Sequence, residues 1–323
     1  MESTNLIVFD IGARYGIHPA WLDLYNHKKT ENLASGIVDY YAFEVDPYEV
    51  ERLKNKYKEN YFIFNVGFSN RKEELELNLL EHKGQSSFLL PNLESNWFES
   101  RPKESQIQFK LKCKLQTLNE FCTDLNIYPN FLKIDTEGFD LKVLEGAVGG
   151  VLDKVLAINC EVFFEETFVG VPLFSKIFDF LLKNGFMLAN LGYSGKGVPS
   201  SYFCPDYNKF GIISGCEAVF IKNSSGYYNL DVIEKGKLIL YLFFNNLQDL
   251  SFKFISNLTD SELGKLRQTT IWDYIKISFI KNIKKLQYLP GNSYERAKID
   301  FKHIFMEEYP EMHNFFENPI INP

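Results

Sequence analysis

The sequence predicts an α/β protein: a seven-stranded sheet with helices on both faces, followed by an α-helical carboxyl-terminal extension. Three observations predict it. Strand-like and helix-like runs alternate through the first two thirds of the chain, which is the pattern of a parallel sheet covered by helices. Two apolar runs end on an acidic residue and a glycine turn, Val8-Phe-Asp-Ile-Gly-Ala-Arg-Tyr-Gly16 and Asn130-Phe-Leu-Lys-Ile-Asp-Thr-Glu-Gly138. From Asp231 the pattern turns helical and mixed in charge, with Ile271, Ile275, Phe279, Ile283 and Leu286 at helical spacing. At 323 residues the chain exceeds the common single-domain size, so the sheet domain is assigned to residues 1–225 and the extension to 226–323.

Leu6 to Asp10 reads as the first strand. A helix from Pro19 to His27 follows, with Trp21, Leu22 and Tyr25 on one face. Tyr40 to Glu44 is the second strand. Asp46 then caps a helix that has Pro47 in its first turn. Tyr61 to Val66 is the third strand.

The rhythm then breaks. Leu75, Leu77 and Leu79 alternate with polar residues, as do Ile107, Phe109, Leu111 and Cys113. That is an inserted pair of half-exposed strands, carrying a substrate-facing loop from His82 to Glu104. Phe131 to Asp135 is the fourth strand and Val155 to Val162 the fifth. Pro172 to Lys183 is a helix, Gly185 to Leu191 the sixth strand and Cys216 to Ile221 the last. The loop Gly192 to Pro205, rich in glycine and serine, reads as a lid near the site. Asn292 to Pro323 is punctuated by proline and is assigned no element.

Bulk properties narrow the function. A hydrophobic fraction of 45% is ample for a core. The net charge of −7 argues against a sequence-independent nucleic-acid binder, which needs clustered Lys and Arg, and suits a small-molecule or glycan acceptor. Cys113, Cys122, Cys160, Cys204 and Cys216 are odd in number and show no paired spacing, so free thiols in a reducing compartment are expected. The start does not resemble a signal peptide, and the longest apolar run, Leu238 to Phe244, is too short to span a bilayer. A cytoplasmic protein without a transmembrane segment is expected. The carboxyl-terminal helices read as ordinary amphipathic packing, with homo-oligomerisation through them open.

Carboxylates at the carboxyl ends of strands sit where open α/β sheets bind ligands. The two strand-turn blocks therefore point to a nucleotide-like cofactor beside an acid-lined reaction site. Asp10-Ile-Gly-Ala-Arg-Tyr-Gly16, Phe43-Glu-Val-Asp-Pro47, Gly84-Gln-Ser-Ser87 and Lys133-Ile-Asp-Thr-Glu-Gly138 occur in the order seen in the FkbM-type methyltransferases, which this chain resembles over about its first two thirds. The last of these blocks is the most specific. The resemblance implies a Rossmann-like class I methyltransferase sheet, S-adenosylmethionine as cofactor, and O-methylation, most often of a sugar hydroxyl on a glycan or glycosylated metabolite. Residues 11–15 depart from the Val-Gly-Ala-Asn that the family often carries, and Val45 replaces a frequent Pro.

On this reading Gly12 and Gly16 let the main chain approach the cofactor, and Asp10 orders that turn. Glu44 accepts the ribose hydroxyls. Asn65 and Val66 close the third strand where the adenine is expected, with a plain turn cap as the alternative for Asn65. A dinucleotide site is disfavoured, because Ala13 and Arg14 stand where G-x-G-x-x-G wants glycine. No Gly-Lys-Ser/Thr follows a strand, so a P-loop is weaker still.

Asp135 is assigned to the cofactor and the reaction, with Glu137 and Glu161 as further candidates for the base that a sugar hydroxyl needs. Which of the three acts is open. Each has a structural alternative, such as Asp135 capping the next helix. No His joins them in sequence, so no metal is assigned; a divalent cation held by the three carboxylates is the alternative. His82, Gln85, Ser86 and Ser87 are assigned to the acceptor, their polar groups suiting a polyhydroxyl ligand. A non-catalytic partner protein, and a methyltransferase acting on protein or lipid, are the competing functions.

Overall fold

Both faces of the central strands are buried and largely apolar, and a row of polar residues interrupts one of them. The computed structural model describes residues 5–18, 21–22, 37–57, 60–192 and 213–286, and they form two compact units that divide between Asn229 and Leu230. The first unit runs β1 (Leu6–Ile11), β2 (Val38–Phe43), α1 (Pro47–Lys56), β3 (Tyr61–Phe64), β4 (Gly67–Phe68), β5 (Glu73–Leu80), α2 (Asn96–Glu99), β6 (Ile107–Gln116) and α3 (Leu118–Leu125). It continues with β7 (Phe131–Ile134), α4 (Asp140–Glu145), α5 (Val151–Lys154), β8 (Ala157–Phe163), α6 (Phe174–Lys183), β9 (Phe186–Gly192), β10 (Gly215–Lys222) and α7 (Ser224–Tyr228).

Seven strands form one sheet in the order β3-β2-β1-β7-β8-β10-β9. The first five in that order are parallel, and β10 runs antiparallel between β8 and β9. This is the Rossmann-like sheet expected from the sequence. Phe9, Ile11, Phe43, Leu132, Ile134, Ile158, Cys160 and Phe220 point to one face and join Phe121 of α3 in the main core. The opposite face carries Trp21, whose ring lies 5.2 Å from that of Phe131. The same alternation places Asp10, Lys133 and Asn159 side by side on that second face, because they are in register on β1, β7 and β8.

The inserted strand pair is present. β5 runs antiparallel to β6, and β4 pairs parallel with β6 to complete a three-stranded second sheet. The third strand of the main sheet is shorter than expected and ends at Phe64. Asn65 stays exposed there, its Nδ2 donating to the carbonyls of Glu44 (2.9 Å) and Val45 (3.0 Å), and the chain crosses to the second sheet at Gly67. The helix α3 was not foreseen from periodicity, although Thr117 and Glu120 form a capping box at its start. The helix expected over Pro19 to His27 lies mostly outside the described residues, with Trp21 and Leu22 helical within it; Tyr193 to Pro205 and Asn292 to Pro323 lie outside them entirely.

The second unit is helical: α8 (Val232–Phe244), α9 (Gln248–Ser256), α10 (Asp260–Leu266) and α11 (Thr270–Leu286). The apolar run Leu238 to Phe244 is the carboxyl-terminal half of α8, which α9, α10 and α11 pack around. Among the described residues no helix is long and apolar enough to cross a membrane.

Candidate active site

The site is assembled where the polar row Asp10, Lys133 and Asn159 approaches the carboxyl ends of the strands. After β1 the chain turns at Gly12, whose φ is +84°; a Cβ there would lie 1.9 Å from the carbonyl oxygen of Asp135. Only glycine lets the first turn rest directly on the end of β7. The amides of Gly12 and Ala13 both donate to the Phe43 carbonyl, which fixes the turn against β2. Gly16, with φ +94°, packs against the Tyr57 ring.

Beneath the turn lies a buried network. Lys133 Nζ is 3.1 Å from Asp10, 3.2 Å from Asp135, and donates to the Gly12 carbonyl at 3.4 Å. Burial alone would pull this ammonium down, but the two carboxylates hold it above its ordinary range. Asp10 also accepts the Tyr40 hydroxyl, and the His18 amide donates to Tyr40. Asp10 is thus enclosed, and it acts on the turn through Lys133.

Two cavities open above this network. The first has an apolar lining that includes Phe43, Val66, Phe68, Leu77 and Phe139, together with Gly12, Glu44 and Asp135. Glu44 is 5% exposed; burial pushes its carboxyl up, against the Arg14 guanidinium 3.8 Å away and the Asp46 amide that donates to it at 2.9 Å. Of the residues assigned to the cofactor, Gly12, Glu44, Val66 and Asp135 line this cavity, whereas Asp10, Gly16 and Asn65 support the backbone around it.

The second cavity is lined by four carboxylates, Asp135, Glu137, Glu161 and Glu217, with Tyr15 and Trp97. The two cavities share Tyr15, Gly84, Asp135 and Glu137. Glu137 reaches this shared wall through a strained turn. Its φ is +52° and that of Gly138 is +93°, a left-handed pair that costs a non-glycine residue about 1–2 kcal/mol. Ser87 holds the turn by donating to the Glu137 carbonyl at 2.6 Å, and the Thr136 hydroxyl donates to Asp140 at 2.8 Å.

One ligand atom from each of Asp135, Glu137 and Glu161 lies within 4.8 Å of the other two. Burial pushes Glu137 well up, and the charges of Asp135 and Asp140 add to it. Glu161 is pushed up likewise, by burial and then by Glu137 and Asp135. Asp140, buried behind them, is raised to about 7, again chiefly by burial. Glu217 is held low by the His18 ring 3.3 Å away.

Of the four residues assigned to the acceptor, His82 and Gln85 line the second cavity and Ser86 the first. Ser87 lines neither and is buried on the Glu137 turn. Lys133, Asp140, Glu217, Trp97, Thr167 and Ser214 were not singled out from the sequence. A lysine and a glutamate alternating within apolar strands was the available signal for the first and third. Nothing local marks Thr167 or Ser214.

A family model described as the methyltransferase FkbM domain matches residues 10–188, more than half of the chain. Among solved structures, a methyltransferase FkbM from Methylobacillus flagellatus KT is 13% identical with a TM-score of 0.37, the match covering 68% of this chain and 44% of that one. The chain thus spans under half the length of that structure. A precorrin-6y C5,15-methyltransferase from Geobacter metallireducens GS-15 is 12% identical with a TM-score of 0.32, covering 68% and 81%. The 16S rRNA methylase ArmA is 12% identical with a TM-score of 0.27, covering 68% and 74%. No relative was found among curated proteins.

Proposed function

We propose that this chain, which belongs to the FkbM methyltransferase family, is an S-adenosylmethionine-dependent O-methyltransferase acting on a sugar hydroxyl of a glycan or glycosylated metabolite. The observation that carries the reading is the pair of cavities meeting at Asp135 and Glu137. The first fits the cofactor by its donor set. An apolar lining suits a flat base, the Glu44 carboxylate suits vicinal ribose hydroxyls, and the Gly12 turn offers main chain rather than side chain. When bound, S-adenosylmethionine supplies an electrophilic methyl carbon.

The residues of the second cavity then have distinct work. Carboxylates accept hydrogen bonds from acceptor hydroxyls and orient the ring, and orientation alone supplies a large part of such an acceleration. A sugar hydroxyl must lose its proton as the new bond forms. Glu137 and Glu161, both pushed up by burial and by neighbouring carboxylates, stand where that hydroxyl would lie and are the candidates to take it. Asp135, tied to Lys133, joins the cofactor wall to the acceptor wall.

The test is incubation with methyl-labelled S-adenosylmethionine and a panel of simple methyl glycosides, followed by mass analysis of the products. Label in a glycoside supports the reading. Label transferred only to protein or lipid overturns the acceptor class.

A further inference from the structure

We propose that the indole of Trp97 is the platform on which the sugar ring of the acceptor stacks. The proposal rests on the acceptor class given above and adds the side chain that selects a ring-bearing acceptor. A pyranose is two-sided, with C–H bonds on its faces and hydroxyls around its rim, so its site needs a flat apolar surface beside hydrogen-bonding groups. Trp97 lines the second cavity and not the first, and the carboxylates there meet the rim. Of the three tryptophans, Trp21 and Trp272 are 2% and 1% exposed and fill packed interiors, whereas Trp97 is half-buried. Tyr15, the other accessible ring, belongs to the wall shared with the first cavity, where the reacting hydroxyl has to lie. Trp97 stands outside that wall and takes the body of the ring.

The indole is held before any ligand arrives. Asn92 ties its loop to the segment after β8: its amide donates to the Thr167 carbonyl at 2.9 Å and its Nδ2 to the Glu166 carbonyl at 2.7 Å. Glu165 then fixes the start of α2, accepting from the Trp97 amide at 3.1 Å, the Asn96 amide at 3.2 Å and Asn96 Nδ2 at 2.7 Å. The Arg101 guanidinium lies 4.0 Å from the centre of the Trp97 ring. Arg101 lines neither cavity, so it braces the ring without occupying the acceptor's place. A rigid ring with two rotatable bonds, fixed in advance, costs little entropy when a ligand stacks on it. Because the contact lies away from the reacting atoms, it is made equally before and during methyl transfer, and it acts on KM rather than on kcat.

The first readout is binding alone. The full-length protein is titrated with a panel of methyl glycosides while tryptophan emission is recorded. With the other two indoles buried, a saturable change reports Trp97. Such a change is expected for at least one glycoside in the millimolar range. W97L, of similar bulk but without a ring, is expected to weaken binding of that glycoside about tenfold, as read by saturation-transfer NMR, and to keep its affinity for S-adenosylmethionine. W97F, which keeps a smaller ring, is the second variant and is expected to lose about threefold. In the labelled-methyl assay W97L is expected to raise KM for the glycoside with kcat largely kept. A W97L or W97F that binds the glycoside as tightly as the wild type overturns the platform and leaves the acceptor class standing. A wild type that binds none of the glycosides overturns both, and titration with S-adenosylmethionine then shows separately whether the cofactor reading holds.

Discussion

Lys133 and Asp10 stand opposite one another on adjacent parallel strands, Nζ 3.1 Å from Oδ1, and the same ammonium lies 3.2 Å from Asp135. One buried charge thereby joins the floor of the Gly12 turn to the carboxylate that both cavities share. Removing one member of a buried pair leaves the other uncompensated. K133M is expected to lose about 3–5 kcal/mol of stability, and D10N/K133M to recover a large part of it. Denaturant titration of the single and double variants measures both. Additive losses would show that the pair is not coupled.

Gly12 and Gly149 separate close approach from backbone strain. Both have positive φ, +84° and +71°, but a Cβ at Gly149 meets nothing within 4 Å whereas one at Gly12 would strike the Asp135 carbonyl. G149A is expected to cost about 1–2 kcal/mol, and G12A clearly more, with loss of S-adenosylmethionine binding. Thermal melts of the two variants side by side give the comparison. Equal losses would mean the turn does not rest on β7 as described.

Asp140 sets a pH dependence. Its folded pKa, about 7, lies above the ordinary value of 3.8 because it is buried beside Asp135. The folded state therefore binds the proton more tightly than the unfolded chain. The resulting stability is present in full below about pH 4 and is lost as pH rises through about 7. D140N removes this dependence. It is expected to gain roughly 1–4 kcal/mol relative to the wild type at pH 8 compared with pH 4, as read from denaturation midpoints at the two pH values. A difference that does not change with pH would refute the assignment.

On the proposed reading, Glu44 is the side chain that accepts the ribose hydroxyls of the cofactor. Gln keeps an oxygen for the Asp46 amide but cannot accept two ribose hydroxyls as an anion. E44Q is expected to weaken S-adenosylmethionine binding at least tenfold, about 1.4 kcal/mol, while unfolding at nearly the wild-type denaturant concentration. Calorimetry on the variant gives the first and its denaturation curve the second.

Much of this arrangement is legible in the chain itself. Asp10 and Asp135 each close an apolar run just before a glycine turn, so strand, turn and acid are local features. Lys133 and Glu161 also interrupt apolar strands, but only the register shows that Lys133 faces Asp10, and register is a property of two strands. The insertion of β10 between β8 and β9 is likewise non-local, and it brings Ser214 and Glu217 to the second cavity. Ser87 reads as a substrate hydroxyl because it lies in a polar loop run. The fold buries it under the Glu137 turn, whose left-handed backbone no sequence spacing reveals.

The most direct measurement is calorimetric titration of the purified chain with S-adenosylmethionine and, separately, with NAD. One-to-one micromolar binding of the first and no heat from the second is the expected result. Binding of NAD, or of neither, would contradict the assignment of the first cavity and with it the roles given to Glu44, Asp135 and Glu137.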